Sequence, residues 1–402
     1  MVVSEVLECL VCSDDYRVRV GVGVDSFQTH YFDCLGCEQP IGLAVRANPP
    51  EAHIETVENC KITKCTPEEV FSKTAINLHP NFCFPQEKYH DHKYFPSIEG
   101  IEIISKAVRY VPGQFFQDIA TQFDVPNADN IWHKVKSIYE LSNTPGKERL
   151  ASKLIIGYNK QRSKSKTENC ECSNYFDVLN EFYDACFYPR VNDLYEPIEE
   201  LIDDLHSKGE LDEFFAYYND NLKQENSRRY TAILTSYFKN KAVLGQMMYR
   251  ARVTNDGIDR FMVGSKNFEE IKLFYGDVYE ALTTNFTVLA LLNNLESGRG
   301  FSEFLSLTLP QYLKIDKAKK HNPFKENTRF KKFAEELDSS LRNGSHHASM
   351  WRDGEVIMYR SGGTGAERNI SYSRYIYMCN ILTMSLVALH MVELHIQRKY
   401  QD

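Results

Sequence analysis

Leu341-Arg342-Asn343-Gly344-Ser345-His346-His347 brings a permanent cation, an amide and two imidazoles into one short stretch. Arginine stays charged and grips phosphate with a planar fork. Histidine titrates near neutrality, so it can take and return a proton there. Together these groups suit chemistry at a phosphodiester. Upstream, Phe330, Phe333, Ala334, Leu337 and Leu341 recur at i, i+3, i+4, i+7 and i+11, which predicts one apolar helix face leading into the stretch. Gly344 ends or loosens that helix. If the helix continues, Arg342 and His346 are i,i+4 neighbours and His347 points partly away.

Working outward, the region 226–402 reads as a helical bundle. Tyr230 to Ala251 and Phe268 to Leu295 are long apolar-periodic segments, the second ended by Gly298 to Gly300. Lys314 to Lys332 holds eight Lys or Arg against Asp316 and Glu326. Lys317, Lys319, Lys320, Lys325 and Arg329 in this island are candidates to hold a polyanion, with a solvated helix face as the other reading. Beyond His347, Asp353-Gly354 predicts a tight turn in a small hairpin over 350–359. Gly362-Gly363-Thr364-Gly365 lacks the strand, lysine and hydroxyl context of a phosphate-binding loop, and reads as the exit from that hairpin. Ser371 can cap a final helix running to about Gln397. Its apolar run, Tyr375 to Val392, includes Asn380, Thr383, Ser385 and His390, so a buried bundle helix is expected and not a membrane span.

The spacing Arg-Asn-x-x-x-His, here Arg342, Asn343 and His347, resembles the active-site motif of the HEPN superfamily of ribonucleases. The resemblance covers the last third to half of the chain. It implies a helical ribonuclease domain that cleaves RNA without a catalytic cofactor and leaves a 2′,3′-cyclic phosphate. It also implies catalytic roles for Arg342 and His347, a positioning role for Asn343, and a cleft shared by two copies. A homodimer follows, or a partner protein carrying a second motif. Similar proteins act as prokaryotic antiviral effectors that stop growth after infection. One departure is that Ala348-Ser349 follow His347, where some toxin members end in His-x-Tyr. The pattern favours His347 as the base, whereas helix geometry favours His346. A non-catalytic HEPN-like module binding nucleic acid or a partner is the alternative. A metal-ribbon scaffold is a third class.

At the other end, Cys9-Leu-Val-Cys12 and Cys34-Leu-Gly-Cys37 are two C-x-x-C pairs separated by 21 residues. The β-branched alternation from Tyr16 to Val24 predicts a β-hairpin joining them. This arrangement resembles a zinc ribbon, in which four thiolates close a tetrahedral structural Zn²⁺ site. Ile41 to Arg46 and His53 to Val57 read as further strands. A second metal site from Cys60, Cys65, Cys83, His90 and His92 is conceivable, but their spacing is irregular, and scattered cysteines and exposed histidines are the favoured reading.

The balance of 47 Lys and Arg against 55 Asp and Glu excludes a uniformly basic nucleic-acid coat. Met1 to Glu8 is acidic without a long apolar core, so no secretory signal is expected. Eleven cysteines then suit a reducing, cytoplasmic setting. The expected fold is mainly α with a small β N-terminal part. It comprises a zinc-ribbon-like module over 1–65, a mostly irregular connector over 66–98, a helical middle region over 99–225, and the HEPN-like bundle over 226–402. Within the middle region helical periodicity starts near Ile101, Trp132 fills the core, and Lys160 to Lys166 is a solvated basic tract before Cys170 and Cys172.

Overall fold

A computed structural model describes residues 1–48, 50–96, 100, 102, 105, 124–163, 171–254, 256–264, 266–363 and 365–400. The expected helix from Ile101, most of the basic tract after Arg162, and Cys170 lie outside the described residues. The rest is mainly helical with several small sheets, a helical middle and C-terminal helices.

The N-terminal part holds two sheets around their own core. Strand β1 (Val2–Cys9) pairs antiparallel with β2 (Asp15–Gly21), in register from Val2↔Gly21 to Glu8↔Asp15. β2 alternates because Tyr16, Val18 and Val20 point inward while Arg17 and Arg19 face the other side. The next strands, β3 (Phe27–Asp33), β4 (Pro40–Asn48) and β5 (Glu51–Glu58), form a separate antiparallel meander. β4 is central there, which explains its near-continuous apolar run. The segment between the C-x-x-C pairs is therefore not a hairpin: β2 and β3 belong to different sheets, packed face to face through Tyr16 and Phe32 at 5.8 Å.

The three-residue β6 (Cys60–Ile62) lines the far side of β1. Of the expected connector, the described residues 66–96 hold regular elements. Thr66 caps the helix Pro67–Ser72 in a capping box with Glu69. Then β7 (Thr74–Leu78) runs parallel to β2, which gives the order β6-β1-β2-β7. Five residues of β7 complete the core with Ile76 and Leu78. So short a run, flanked by Pro, Asn and His, carries little local signal. Further on, β8 (Phe84–Pro85) pairs with β9 (Phe261–Met262) and ties the sheets to the helical body.

In that body, Trp132 stacks on Phe182 and Phe238, at 6.1 and 5.6 Å. The helices Ala128–Ser142 and Glu148–Arg162 thus share one core with everything that follows. Tyr230 to Ala251 is interrupted at Asn240, where the helix Lys223–Lys239 ends. The axis is a pair of long helices, Phe274–Glu296 and Tyr372–Arg398. The second is long and apolar enough to cross a membrane, and its apolar window is entirely buried by protein. Asn380 is matched inside: it accepts from the Tyr237 hydroxyl and donates to Leu244 O. Ser371 caps it, accepting from Arg374 N.

Two expectations around the opening stretch are corrected. Phe330 to Leu341 is not one helix face. Phe330 and Phe333 sit at a 3₁₀ turn, Glu336 takes a left-handed φ of +60°, and the helix starts only at Ser339, capped by Asp338. The apolar residues still converge because the chain bends them into the same core. The basic island is likewise no helix face, but includes the 3₁₀ turns Lys317–Lys319 and Asn322–Phe324, with Pro323 inside the second. The predicted hairpin is present as β10 (Met350–Asp353) and β11 (Val356–Arg360), turning at Gly354 with φ +56°. A third strand, β12 (Glu367–Ser371), extends it, and Gly362 and Gly363 lie in a 3₁₀ turn after β11.

Candidate metal centre and candidate catalytic constellation

Each C-x-x-C pair occupies the tip of a hairpin, and the two tips repeat one geometry. Cys9 N donates to Asp14 O at 2.8 Å and Ser13 N to Cys9 O at 3.0 Å. Cys34 N donates to Gln39 O and Glu38 N to Cys34 O, both at 2.9 Å. Ser13 and Glu38 both turn through positive φ, at 66° and 60°. The tips meet so that the Cys9, Cys12, Cys34 and Cys37 sulfurs lie within 4.8 Å of one another. The Cys9–Cys37 and Cys12–Cys34 separations are 3.7 and 3.4 Å. Tetrahedral ligands at about 2.3 Å from a metal stand about 3.8 Å apart, so this cage could hold a metal ion.

Burial disfavours the Cys34 thiolate. The Tyr16 hydroxyl, 3.1 Å away, and the backbone N–H groups of Cys37 and Gly36 outweigh it and bring that thiol down to about 6. The Asp14 N–H favours the Cys12 thiolate, yet burial and the thiols of Cys34, Cys37 and Cys9 push it up to about 12. Four sulfurs this close do not share negative charge without a cation. Gly36 lets the Asp14 carboxylate lie close, since a Cβ there would fall 1.9 Å from Asp14 Oδ2 and displace it. Elsewhere, Cys60 donates to Gly42 O, His90 Nδ1 meets Ala75 O at 2.8 Å and His92 meets Arg17. Among the described residues only the four-cysteine cluster has metal-site geometry.

At the other candidate site, the helix Ser339–His346 lies against the N-terminal half of Phe274–Glu296. Arg342 Nε donates to Glu280 Oε1 at 2.6 Å, and Nη1 donates to Asn343 Oδ1 at 2.6 Å. Asn343 Nδ2 reaches Ser361 Oγ at 3.3 Å. His346 Nε2 stands 3.8 Å from Asp277 Oδ1. Arg342 and His346 are one turn apart on one face, opposite Asp277 and Glu280, which are one turn apart on the long helix. His347 is the exposed C-cap residue, off that face. The structure thus groups Arg342, Asn343 and His346 and leaves His347 aside. Burial raises the Asp277 carboxyl, with His346 opposing and Glu280 adding to the rise.

The sequence motif does not announce the acids Asp277 and Glu280. Two carboxylates at i, i+3 in the first turns of a largely apolar helix are the sequence signal that points to them. Close packing also fixes His346: a Cβ on Gly276 would lie 2.2 Å from the imidazole Cδ2. Gly276→Ala is therefore expected to swing the His346 ring away from Asp277. The cost in stability should be small, because an exposed ring has room to move. The His346 imidazole resonances should shift while the melting midpoint barely changes; unshifted resonances contradict the contact.

The basic island divides. Lys319 and Lys325 are exposed, the latter beside Glu326 at 4.0 Å. Lys317 binds the Thr284 hydroxyl, next to Glu280 on the same helix. Lys320 is buried and donates to Tyr312 O at 2.7 Å, and burial followed by Lys317 lowers it to about 8. Arg329 is held by Pro197 O at 2.6 Å and Glu296 at 2.9 Å. Lys320 and Arg329 thus serve the interior fold rather than a solvent-facing row. A charged link also joins the two sites. Asp33, preceding Cys34, is gripped by both Arg352 Nη atoms at 2.6 and 2.8 Å, with Lys266 3.7 Å away. Arg352 lies on β10, five residues after His347.

Compared with protein-family models, with curated proteins and with solved structures, the chain matches none.

Proposed function

We propose that the chain is a HEPN-type endoribonuclease that needs no metal for cleavage, with a zinc-ribbon-like four-cysteine module at its N-terminal end. What carries this reading is the pairing of Arg342 and His346 on one accessible helix face, with Asn343 bonded to the guanidinium. A neutral imidazole there takes the proton from a ribose 2′-hydroxyl. The 2′-oxygen attacks the adjacent phosphorus, the 5′-oxygen leaves with a proton, and a 2′,3′-cyclic phosphate remains. The Arg342 guanidinium holds the non-bridging oxygens as charge builds on them. Glu280 engages that guanidinium in the free protein, so RNA phosphate takes the place of Glu280 on binding. Two copies facing each other supply the second Arg–His pair, making a homodimer the active form. Zn²⁺ in the four-cysteine cage serves structure, because four thiolates leave no open coordination position. An antiviral role in a prokaryotic cytoplasm, with a defence-system partner, fits the same resemblance.

The engagement of Arg342 by Glu280 and Asn343 favours one second reading, a binding module that does not cleave. The two separate in one assay. Purified protein is incubated with transfer, messenger and ribosomal RNA in EDTA, with a metal-replete control. Cleavage to cyclic-phosphate ends is expected. Arg342→Ala or His346→Ala should lower it about 10²–10⁴-fold, with folding intact. His347→Ala should lower it less. Intact RNA under every condition, with RNA still bound, establishes the binding module instead.

A further inference from the structure

A fifth thiol stands directly beside the cage. In the β1–β6 pair, Cys9 lies opposite Cys60. Leu10 N donates to Asn59 O at 3.0 Å and Thr63 N to Val6 O at 2.9 Å. Those bonds place the hydrogen-bonded pairs at residues 6, 8 and 10 of β1, which makes Cys9–Cys60 a non-hydrogen-bonded pair. Such partners share a face and have Cα atoms about 4.5 Å apart, the closest approach in an antiparallel ladder. A disulfide needs a Cα separation of about 4.4–6.8 Å. Cys60 is outside the cage: its thiol donates to Gly42 O at 3.3 Å. Both residues are buried, whereas Cys12 is exposed. β6 is a three-residue edge strand, free to adjust on one side.

We propose that Cys60 is a resolving thiol for the metal centre, forming a cross-strand disulfide with Cys9 when the cage is oxidised by a peroxide and so removing a ligand from the metal. In the metal-loaded cage the exposed Cys12 sulfur is held as a thiolate; it attacks the peroxide first, giving a sulfenic acid and hydroxide, which takes up a proton as the first water. The Cys9 thiolate then attacks the Cys12 sulfur, expelling hydroxide, which takes up a proton as the second water, and forming a Cys9–Cys12 disulfide. The Cys60 thiolate attacks the Cys9 sulfur, and Cys12 leaves as a thiolate. Two thiols have lost two electrons and two protons, and the peroxide has become two waters. The product rests in the buried position, away from external reductants. The remaining cage has three thiolates, which bind a divalent ion less tightly than four.

The test uses full-length protein loaded with Zn²⁺ and treated with hydrogen peroxide. Unreduced peptides are mapped by mass spectrometry while a chromogenic chelator follows released zinc. The expected result is a Cys9–Cys60 linked peptide appearing together with the zinc. Cys60→Ser, and independently Cys60→Ala, should keep their zinc before oxidation but halt at the Cys9–Cys12 disulfide, which dithiothreitol should reduce several-fold faster than it reduces the buried wild-type product. Linked peptides confined to Cys9, Cys12, Cys34 and Cys37 would overturn the proposal. So would a wild-type product that dithiothreitol reduces as fast as that of both Cys60 variants, or a protein that takes up no zinc. Mapping of the unmutated chain decides the matter even if a variant folds poorly.

Discussion

Cys34→Ser, or stripping the metal with a strong chelator, is expected to unfold the two N-terminal sheets while the helical body stays folded. The sheets bury only a small core, made of short runs such as Leu7, Tyr16, Val18, Val20, Ile41, Leu43 and Ile76. The helical core is separate and far larger. Small β units of this size depend on a staple. A structural zinc site supplies about 10–16 kcal/mol of binding free energy that is realised only on folding. Of the four cysteines, Cys34 is the one whose loss should matter most. It is buried, bonded to Tyr16, and next to the Asp33 carboxylate that Arg352 holds. Hydrogen exchange checks the outcome. Amides of β1 to β5 should lose protection in Cys34→Ser, and those of Phe274–Glu296 and Tyr372–Arg398 should keep most of theirs. Unchanged protection in β1 to β5 would mean that the sheets stand without a metal.

Glu393→Gln is expected to stabilise the helical body above neutral pH and to give it a pH dependence that the wild type hides. Glu393 is completely buried on the terminal helix. It accepts from Asn226 at 2.8 Å and from the Tyr230 and Tyr218 hydroxyls at 2.5 and 2.9 Å. Burial raises its carboxyl from 4.5 to about 7, against the lowering effect of those donors and of Arg229. The folded protein therefore keeps a proton that the unfolded chain releases. The stabilisation is complete below about 4.5 and is lost as pH rises through 7, a loss of about 3 kcal/mol. His390, one turn earlier, behaves oppositely. Burial lowers it from 6.5 to about 3. Its stabilisation is complete above 6.5 and is lost as pH falls toward 3.

Between about pH 4.5 and 6.5 the two slopes cancel. With glutamine at 393 the histidine slope is no longer offset, so the variant's stability should rise relative to the wild type's by about 1.4 kcal/mol per pH unit across that window. Urea denaturation followed through the helical signal at several pH values checks both points. Equal slopes in the two proteins would show that Glu393 is ionised in the fold throughout. The sheets have no such compensation. His30 and His79 are buried and lowered to about 3, mainly by burial, so acid should destabilise the β part before the helical part.

Much of this could be read along the chain, because the informative features are local. The two C-x-x-C pairs, the strand alternation after Tyr16, and the Asp353-Gly354 turn each depend on residues a few positions apart. So do the helices around Trp132, Phe176 and Phe286, and the buried character of the terminal helix. The four-cysteine cluster was legible for the same reason: each knuckle is a self-contained turn. The Arg342 stretch was legible as chemistry, but not the helix leading into it. The apolar spacing from Phe330 to Leu341 survives in a bent chain as well as in a straight one.

Residue order could not show what faces what. Asp277 and Glu280 meet His346 and Arg342 across 60 or more residues, and that contact, not the motif spacing, separates His346 from His347. The parallel strand β7 is too short to announce itself and exists because β2 offers it an open edge. Lys320 and Arg329 read as cations facing a polyanion or solvent until carbonyls and Glu296 are found around them. Cys60 reads as a stray thiol until the ladder sets it opposite Cys9. Periodicity reports which face of an element is apolar. Which charged group an element meets is settled by packing between distant segments, where burial makes each polar group find a partner.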